Sequence, residues 1–230
     1  MPLLEADVKK ELSKEKIREI IAKRAAKEFK KGDVVTLVIG LPTEVANYVD
    51  DETRVIFQSE NGLLGAGRLH QGNKPDKRII NAGGAYVELT PGCCFYDTQM
   101  AFTIMRGGHI DATVLGALQV DKEGNLASWM IPNKLVPGMG GSMDLVVGSK
   151  KVIVAMEHMS KNQMKIVDKC DLPLTASGEV DLIITERCVF EVDKDGLLLV
   201  EINPDFTVED IKNSVATTFR VSENLKFMEN

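Results

Sequence analysis

The stretch Val55-Ile56-Phe57-Gln58-Ser59-Glu60-Asn61-Gly62 joins a short apolar run to a turn. The apolar half is typical of a buried strand, and Ser-Glu-Asn-Gly predicts a turn because Asn and Gly tolerate positive φ. Glu60 therefore stands just past the C-terminal end of a predicted core strand, where open α/β sheets bind ligands. Three glycines follow it closely, at Gly62, Gly65 and Gly67. Backbone without side chains lets a substrate approach and leaves N–H groups free to meet it.

The segment before this stretch predicts a helix followed by a second buried strand. Apolar residues at helical spacing indicate a helix over residues 14–30, with Ser13 as N-cap and Gly32 as the stop. Residues 34–39 form a continuous, mostly β-branched run, which predicts a strand buried on both faces. Residues 40–43 then predict a turn, and Thr43 is expected to cap a short helix that ends at Tyr48.

The rest of the chain alternates strands with helices early and with hairpins late. Residues 68–78 predict a polar loop, and Asp97 and Thr207 each predict the cap of a helix. Strands are expected over residues 112–118, 126–131, 145–147, 152–156, 182–185, 189–192 and 197–202. We therefore predict one α/β domain over residues 1–230, with an open, mostly parallel or mixed sheet and flanking helices.

Composition excludes several classes of function. The net charge of −6 and the isoelectric point near 5.2 argue against a nucleic-acid-binding protein. No apolar stretch approaches the roughly 20 residues that span a bilayer, and the charged N-terminus from Glu5 onward is unlike a signal peptide. The four cysteines form no C-x-x-C pair, which indicates reduced thiols. We expect a cytoplasmic protein without a membrane segment.

Few residues offer catalytic chemistry. The three histidines are far apart in sequence, which argues against a metal site; His158, beside Glu157, is the best placed, although a structural role is favoured. The chain has no nucleophile elbow, dinucleotide fingerprint or P-loop. Glu60 remains, and its pattern leaves three roles open: general base, covalent nucleophile or structural turn residue.

The stretch Phe57-Gln58-Ser59-Glu60-Asn61-Gly62-Leu63-Leu64-Gly65 resembles the active-site signature of the family I coenzyme A transferases at every position. Within that family the chain is most similar to the β subunits of the acetate or butyrate:acetoacetate (3-oxoacid) enzymes. The resemblance extends from about residue 15 to the last helix. Further motifs that carry it lie at residues 40–43, 81–84, 106–111, 114–121 and 137–141.

The resemblance implies that Glu60 is a covalent nucleophile that carries coenzyme A as a thioester. Coenzyme A would move from an acyl-CoA to a short-chain carboxylate such as acetate, butyrate or acetoacetate, with no metal and no cofactor. Glycine loops would supply backbone donors to the oxyanion and to coenzyme A. The implied binding residues are Gly40, Asn61, Gly62, Gly83, Gly84, Gly138, Met139, Gly140 and Gly141.

The family resemblance also implies a partner, because its active site usually lies between two homologous halves. One Ser-Glu-Asn-Gly segment and no internal repeat are found here, so we expect an α subunit of similar size and an α2β2 heterotetramer. Two departures affect acyl specificity: Val38 stands where relatives often carry Gly, and residues 68–71 lack a Gly-Pro stretch. An isomerase or hydrolase with Glu60 as general base, and a non-catalytic ligand-binding subunit, remain alternatives.

Overall fold

The computed structural model describes residues 12–134, 136, 138–161 and 163–229. The predicted absence of a signal peptide concerns residues 1–11, which lie outside the described residues. The helices are α1 Lys14–Ala26, α2 Thr98–Arg106, α3 Ser142–Gly148 and α4 Val208–Lys212, with 3-10 helices at Leu41–Asn47 and Asp51–Thr53. The strands are β1 Val34–Leu37, β2 Ile56–Ser59, β3 Leu63–Leu69, β4 Val87–Phe95, β5 Ala112–Leu115, β6 Gln119–Asp121, β7 Leu126–Ala127, β8 Val152–Ala155, β9 Met159–Ser160, β10 Gln163–Met164, β11 Ile166–Val167, β12 Leu182–Ile184, β13 Cys188–Asp193, β14 Gly196–Ile202 and β15 Arg220–Phe227.

Ten of these strands form one mixed sheet in the order β15-β14-β13-β12-β8-β5-β1-β2-β3-β4. The central strands β12, β8, β5, β1 and β2 run parallel. Antiparallel hairpins extend this block on both sides, and β15 adds a parallel edge strand. The predicted open, mixed α/β sheet is confirmed.

Two hydrophobic clusters cover the sheet. On one face α1 and the first 3-10 helix bury Ile21, Val45 and Phe57 against the central strands. The second cluster joins β8, β12 and β13 to α4 through residues such as Val154, Phe190 and Ile211. A smaller cluster of Met105, Ile110 and Leu145 packs α2 and α3 against β1, at its first residue Val34 and at Val38 just past its last residue. The helices α2 and α3 thus pack along the length of β1.

Several predicted helices and strands are present but are shorter than predicted. Ser13 caps α1 through the Lys16 N–H, yet the helix ends at Ala26 rather than at residue 30. The strands predicted over residues 34–39, 112–118 and 126–131 end at Leu37, Leu115 and Ala127. Thr43 does not cap the short helix: Gly40 does, and the Thr43 hydroxyl donates to the Gly40 carbonyl.

Residues 145–147 were predicted to be a strand, and this prediction is wrong. They belong to α3, in which the Leu145 N–H donates to the Gly141 carbonyl and the Ser149 N–H donates to the Leu145 carbonyl. A three-residue apolar run does not distinguish a buried strand from a buried helix. Packing decided the outcome, because Gly148 lets the α3 backbone come close to the Met105 carbonyl of α2.

The sequence also missed three strands of the ten-stranded sheet, β3, β4 and β15, and the short strands β6, β9, β10 and β11 outside it. Arg68 and Leu69 lie in β3 rather than in the predicted polar loop, and β3 pairs with both β2 and β4. Glycines within β3 and a Pro-Gly pair within β4 hid these strands, because both residue types are depleted in regular strands. Buried and exposed side chains alternate only weakly along the edge strand β15, which is mostly exposed, so its sequence carries little periodic signal.

No helix in the described ranges is long and apolar enough to cross a bilayer.

Candidate active site

The order in which strands are added to the sheet reverses at β1, and this reversal determines where the site lies. The chain runs from β1 to β2 on one side and later adds β5 on the other side of β1. The carboxyl ends of these three parallel strands therefore open a crevice, as at the switch points where α/β sheets bind ligands. Glu60 follows β2 at this edge, Val38 follows β1, and Gly116 follows β5.

The turn that holds Glu60 is a tight hairpin between β2 and β3. The Gly62 N–H donates to the Ser59 carbonyl at 2.9 Å, and Gly62 has a φ of 99° that strongly favours glycine. A Cβ at Gly62 would collide with the Tyr96 carbonyl. Asn61 donates from Nδ2 to the Ile80 carbonyl at 2.8 Å. Asn61 and Gly62 thus shape the turn, and these contacts are to protein backbone.

The Glu60 carboxylate is half-buried and points toward the loop before α3. Its Oε2 accepts a hydrogen bond from the Gly141 N–H at 3.2 Å. Burial raises the pKa of Glu60 above its ordinary value, the Gly141 N–H lowers this pKa in part, and the nearby Asp144 carboxylate raises it further. A carboxylate in such surroundings is less solvated than one in water, so it is a better base and a better nucleophile.

A cavity of about 500 Å³ lies beside Glu60. Its walls come from the ends of β1 and β5, from Ser128 and Trp129 after β7, and from the loop before α3. The residues that line it are Thr36, Leu37, Val38, Ile39, Ser59, Glu60, Ala82, Leu115, Gly116, Ala117, Leu118, Ser128, Trp129, Gly138, Met139, Gly140, Gly141, Ser142 and Leu145. This volume suits a small ligand or the reactive end of a larger one.

The predicted loop residues Gly138, Met139, Gly140 and Gly141 all line this cavity. Pro137, the first residue of that predicted loop, lies outside the described residues. Gly141 is the N-cap of α3, and a Cβ there would overlap Glu60 Oε2. A Cβ at Gly140 would lie 3.4 Å from Glu60 Oε1. The backbone can pass this close to the carboxylate only because these positions lack side chains.

The remaining predicted glycines stand farther out. Gly40 heads the first 3-10 helix with a φ of 99°, and its neighbour Ile39 lines the cavity. Gly83 and Gly84 form a turn that Asn81 closes, because the Gly84 N–H donates to the Asn81 carbonyl. Ala82, just before this pair, reaches the cavity wall. The structure thus gathers the loop of residues 138–141 at Glu60 and leaves Gly40, Gly83 and Gly84 outside the lining set.

Sequence reasoning missed several residues of the site. Ser59 fixes the neighbouring loop, since its hydroxyl accepts the Ala82 N–H at 2.9 Å. Thr36 donates its hydroxyl to the Gln58 side chain at 2.7 Å in the buried wall under the cavity. Leu115, Gly116 and Trp129 complete the far wall. Adjacency to strand ends could have suggested Ser59 and Gly116, but the position of Trp129 depends on the separate β6-β7 unit.

Two cysteines can be assigned structural roles. Cys188 is fully buried and Cys170 is partly buried, and burial raises the pKa of both thiols to about 12. Each is therefore a protonated thiol at neutral pH, and the thiolate is the nucleophilic form. Neither residue lines the Glu60 cavity.

His158 is held inside the fold rather than presented to a substrate. It is fully buried, with Nδ1 3.0 Å from the Thr185 hydroxyl and Nε2 3.0 Å from the Ser214 hydroxyl. Burial, with a smaller effect of Arg187, lowers the pKa of its imidazole to about 3. The ring therefore stays neutral at physiological pH and links β8, β12 and the segment after α4.

We expect His158 to weaken the protein in acid. Its pKa is 6.5 in the unfolded chain and about 3 in the folded one. The contribution of neutral His158 to the free energy of unfolding is therefore complete above pH 6.5. This contribution is lost as the pH falls toward 3, by at most about 1.4 kcal/mol per pH unit. Urea unfolding of the wild type and of His158→Gln from pH 7.5 to 4.5 measures this, and the variant should show the shallower pH dependence. Parallel curves for the two proteins would contradict the assignment.

The sequence of this chain is similar to those of known coenzyme A transferases. A family model described as coenzyme A transferase matches residues 18–214. The chain is 46% identical over 213 residues to the acetate CoA-transferase subunit beta of Haemophilus influenzae, covering 92% of this chain and 95% of that one. It is 49% identical to a mitochondrial succinyl-CoA:3-ketoacid coenzyme A transferase of Rattus norvegicus, but spans only 41% of that relative's length.

Solved structures give the same relationship. An acyl-CoA transferase from Escherichia coli O157:H7, solved as a thioester complex with CoA, superposes with a TM-score of 0.74 at 25% identity. The alignment covers 93% of this chain and 43% of that one. The chain therefore corresponds to somewhat less than half of some relatives and to nearly the whole of others.

Proposed function

The chain belongs to the coenzyme A transferase family as a β-subunit-type chain, and on that premise we propose that Glu60 is its covalent nucleophile. In this proposal coenzyme A moves from acetoacetyl-, butyryl- or acetyl-CoA to a free short-chain carboxylate through a glutamyl-CoA thioester. One observation carries the proposal: the half-buried Glu60 carboxylate lies at the wall of a cavity, with one oxygen on the Gly141 N–H.

The proposed reaction needs only exchanges between carboxylates and thioesters. Glu60 attacks the acyl-CoA carbonyl, the C–S bond breaks, and a mixed acyl-glutamyl anhydride forms with release of the CoA thiolate. The thiolate then attacks the glutamyl carbonyl, which yields the glutamyl-CoA thioester and the first free acid. An incoming carboxylate reverses these steps and leaves as the new acyl-CoA. Overall one thioester is exchanged for another of similar energy, with the anhydride as a short-lived intermediate, so this ping-pong route requires no metal and no cofactor.

The geometry supports this role for Glu60 in two ways. Partial burial removes solvent from the carboxylate, which is otherwise a weak nucleophile, and it raises the pKa of the group. The Gly141 N–H is already in place to stabilise charge on a glutamyl oxygen when the thioester is attacked. One preorganised backbone donor of this kind contributes about 3 kcal/mol to a transition state. The backbone of Gly138, Met139 and Gly140 stands beside it as a further source of donors.

The cavity is large enough for only one end of an acyl-CoA substrate. A volume of about 500 Å³ accommodates a short acyl group and the thioester end of coenzyme A. The nucleotide end of coenzyme A would then lie outside this cavity. Binding energy from that distant end can be used to drive the reacting end into place. We propose that Gly40, Gly83 and Gly84 lie on the path by which the substrate enters, because Gly40 adjoins Ile39 and the Gly83–Gly84 pair adjoins Ala82, and both of these neighbours line the cavity.

A partner subunit follows from the same premise. The Haemophilus influenzae relative is named a beta subunit, and this chain spans 41% of the length of the rat relative. We propose that a homologous α subunit completes the site and that the assembly is α2β2. The cytoplasmic location and the single domain of residues 1–230 stay predictions from the sequence.

Mass analysis of the Glu60 peptide tests the proposal. The chain is mixed with its α partner and acetoacetyl-CoA, quenched in acid, digested and weighed. We expect a coenzyme A adduct on the peptide that contains Glu60, absent in Glu60→Ala and removed by added acetate. Proton exchange into the substrate without an adduct would instead indicate a general base in an isomerase or hydrolase. Saturable binding without an adduct or exchange would indicate a ligand-binding subunit.

The need for a partner is measured with the same proteins. We expect the purified chain alone to show less than about 1% of the activity of the mixed subunits, since a site that lacks half its walls loses positioning worth several kcal/mol. Steady-state rates with the α partner titrated from zero to excess give the dependence. Full turnover by the isolated chain would contradict the shared site.

A further inference from the structure

Arg106, the last residue of α2, links the two helices that stand beside Glu60. Its Nε lies 2.6 Å from Asp144 Oδ1 in the first turn of α3. Its guanidinium carbon lies 5.4 Å from the centre of the Phe102 ring, one turn earlier in α2. Planar guanidinium groups favour such stacking while they donate to a carboxylate. Arg106 therefore contacts both helices at once.

Phe102 carries this link to the backbone that holds Glu60. A Cβ at Gly141 would lie 3.2 Å from Phe102 Cζ, so the aromatic ring packs directly on Gly141. The Gly141 N–H in turn donates to Glu60 Oε2. The helices themselves approach closely, because Gly148 of α3 faces the Met105 carbonyl of α2. The position of the Gly141 N–H thus depends on how α2 and α3 are held together.

Asp144 adds an electrostatic connection. It lies one turn from Gly141 in α3, and its negative charge opposes ionisation of Glu60. The elements packed around Glu60 bring few charges: α3 brings Asp144, α2 brings Arg106, and the turn after β2 brings the neutral Asn61. In the described part of the chain, Asp144 is the charged residue that shifts the pKa of Glu60, and Arg106 is its ion-pair partner.

We propose that Arg106 is a positioning residue for Glu60: its pair with Asp144 and its stacking on Phe102 hold the Gly141 N–H in place and offset in part the negative charge of Asp144 beside Glu60. Arg106 touches neither Glu60 nor the reacting atoms, and it acts through α3. The catalytic consequence rests on the proposed function of Glu60, whereas the electrostatic consequence is a property of the carboxyl group itself.

The chain offers a matched control for the charge of Arg106. Lys150 pairs with Asp111 at 2.8 Å, and the exposed fractions of these side chains are 64% and 30%. The corresponding fractions for Arg106 and Asp144 are 66% and 28%. Asp111 precedes β5 and Lys150 precedes β8, so this second pair lies at the amino ends of the strands, away from Glu60. Lys150→Met and Arg106→Met remove the same charge from pairs of equal exposure.

The test is a titration of the Glu60 carboxyl in the assembled holoenzyme. The β chain is labelled with ¹³C at glutamate side-chain carboxyls, and Glu60→Gln assigns the signal. We expect Arg106→Met to raise the pKa of Glu60 by about half a unit to one unit, and 0.5 M salt to reduce that shift. Arg106→Met with Asp144→Asn should return the pKa close to its wild-type value, because both charges are then absent. Lys150→Met should leave it unchanged.

Kinetics of the same variants give a second readout. We expect Arg106→Met to lower kcat at pH 7 by about three- to tenfold with little change in KM, and to move the acid limb of the rate of adduct formation upward with the pKa. An unmoved Glu60 titration in Arg106→Met, or an equal movement in Lys150→Met, would overturn the proposal. A wild-type enzyme that forms no adduct at Glu60 would refute the proposed function alone, since the carboxyl titration still decides the role of Arg106.

Discussion

Glu60→Gln is expected to abolish coenzyme A transfer while leaving the fold intact. Removal of a covalent nucleophile lowers turnover by about 10⁴-fold or more, because an amide does not form the acyl anhydride. Gln has the same shape as Glu, and its side-chain oxygen can still accept the Gly141 N–H. The measurement is steady-state turnover of the variant assembled with its α partner, together with thermal unfolding.

The thermal stability of Glu60→Gln is the control, because it shows whether lost activity reflects lost folding. Burial raises the pKa of Glu60 in the folded protein. The ionised carboxylate therefore costs stability at neutral pH, and this cost is absent once the pH falls below the pKa of the unfolded chain. A neutral Gln avoids the cost, so its melting temperature at pH 7 should equal or exceed that of the wild type. Strained active sites often show this opposition between stability and activity.

Glu60→Asp separates the presence of a carboxylate from its position. The shorter side chain keeps the nucleophile but withdraws it by roughly one bond length from the cavity and from the Gly141 N–H. A misplacement of about 1 Å lowers rates by about 10²-fold, so this variant should form the adduct slowly rather than not at all. Near-normal turnover by Glu60→Gln would contradict covalent catalysis by Glu60. Such a result would leave binding as the main role of the site.

Gly141→Ala is expected to lower kcat by about 10²- to 10³-fold, the effect of losing one preorganised donor and displacing the nucleophile. The new methyl group would overlap Glu60 Oε2 and would lie 3.3 Å from Glu60 Cδ and 3.2 Å from Phe102 Cζ. The Glu60 side chain must then rotate away, which breaks its hydrogen bond to the Gly141 N–H. Single-turnover measurement of glutamyl-CoA formation in the assembled enzyme reports this loss directly.

Backbone strain does not explain the expected effect, because Gly141 has an ordinary φ of −85°. Ala is therefore acceptable to the backbone there, and thermal unfolding should change little. Gly116→Ala is the matched control: Gly116 lines the same cavity, has no positive φ, and a Cβ there would meet no atom within 4 Å. We expect Gly116→Ala to stay within several-fold of the wild-type rate, since cavity volume alone changes slightly. Equal losses in both variants would show that crowding, rather than alignment of Glu60, limits the reaction.

Local chemistry explains what could be predicted along the chain. The cap of α4 was predicted from Thr207, and the structure shows a full capping box in which Asp210 supplies the second half. The hairpin between β13 and β14 follows from Asp195-Gly196 between two apolar runs, and Gly196 has the positive φ of 95° that this turn needs. Neighbours in sequence determine these features, so they need no knowledge of distant contacts.

Distant contacts decided the features that the sequence missed. The strand β3 is stabilised on both sides by partners, and its Gly65 lies so close to β4 that a Cβ would be 2.9 Å from Cys93. Such a strand contradicts its own propensity, because the ladder and close packing outweigh the weak preferences of glycine. The same holds for α3, whose seven residues are stabilised by packing on α2 rather than by helix propensity.

For the site, the sequence alone indicated the proposed nucleophile and its position after a strand. It placed Glu60 on a Ser-Glu-Asn-Gly turn, and the apolar run before that turn predicts the strand that carries it to the edge of the sheet. Only the tertiary structure decided what surrounds Glu60. Gly141 lies 81 residues away, and Arg106 and Asp144 lie on helices that meet through Gly148. The physical reason is that turns form from local backbone preferences, whereas burial, hydrogen bonding and charge at Glu60 arise when distant segments pack together.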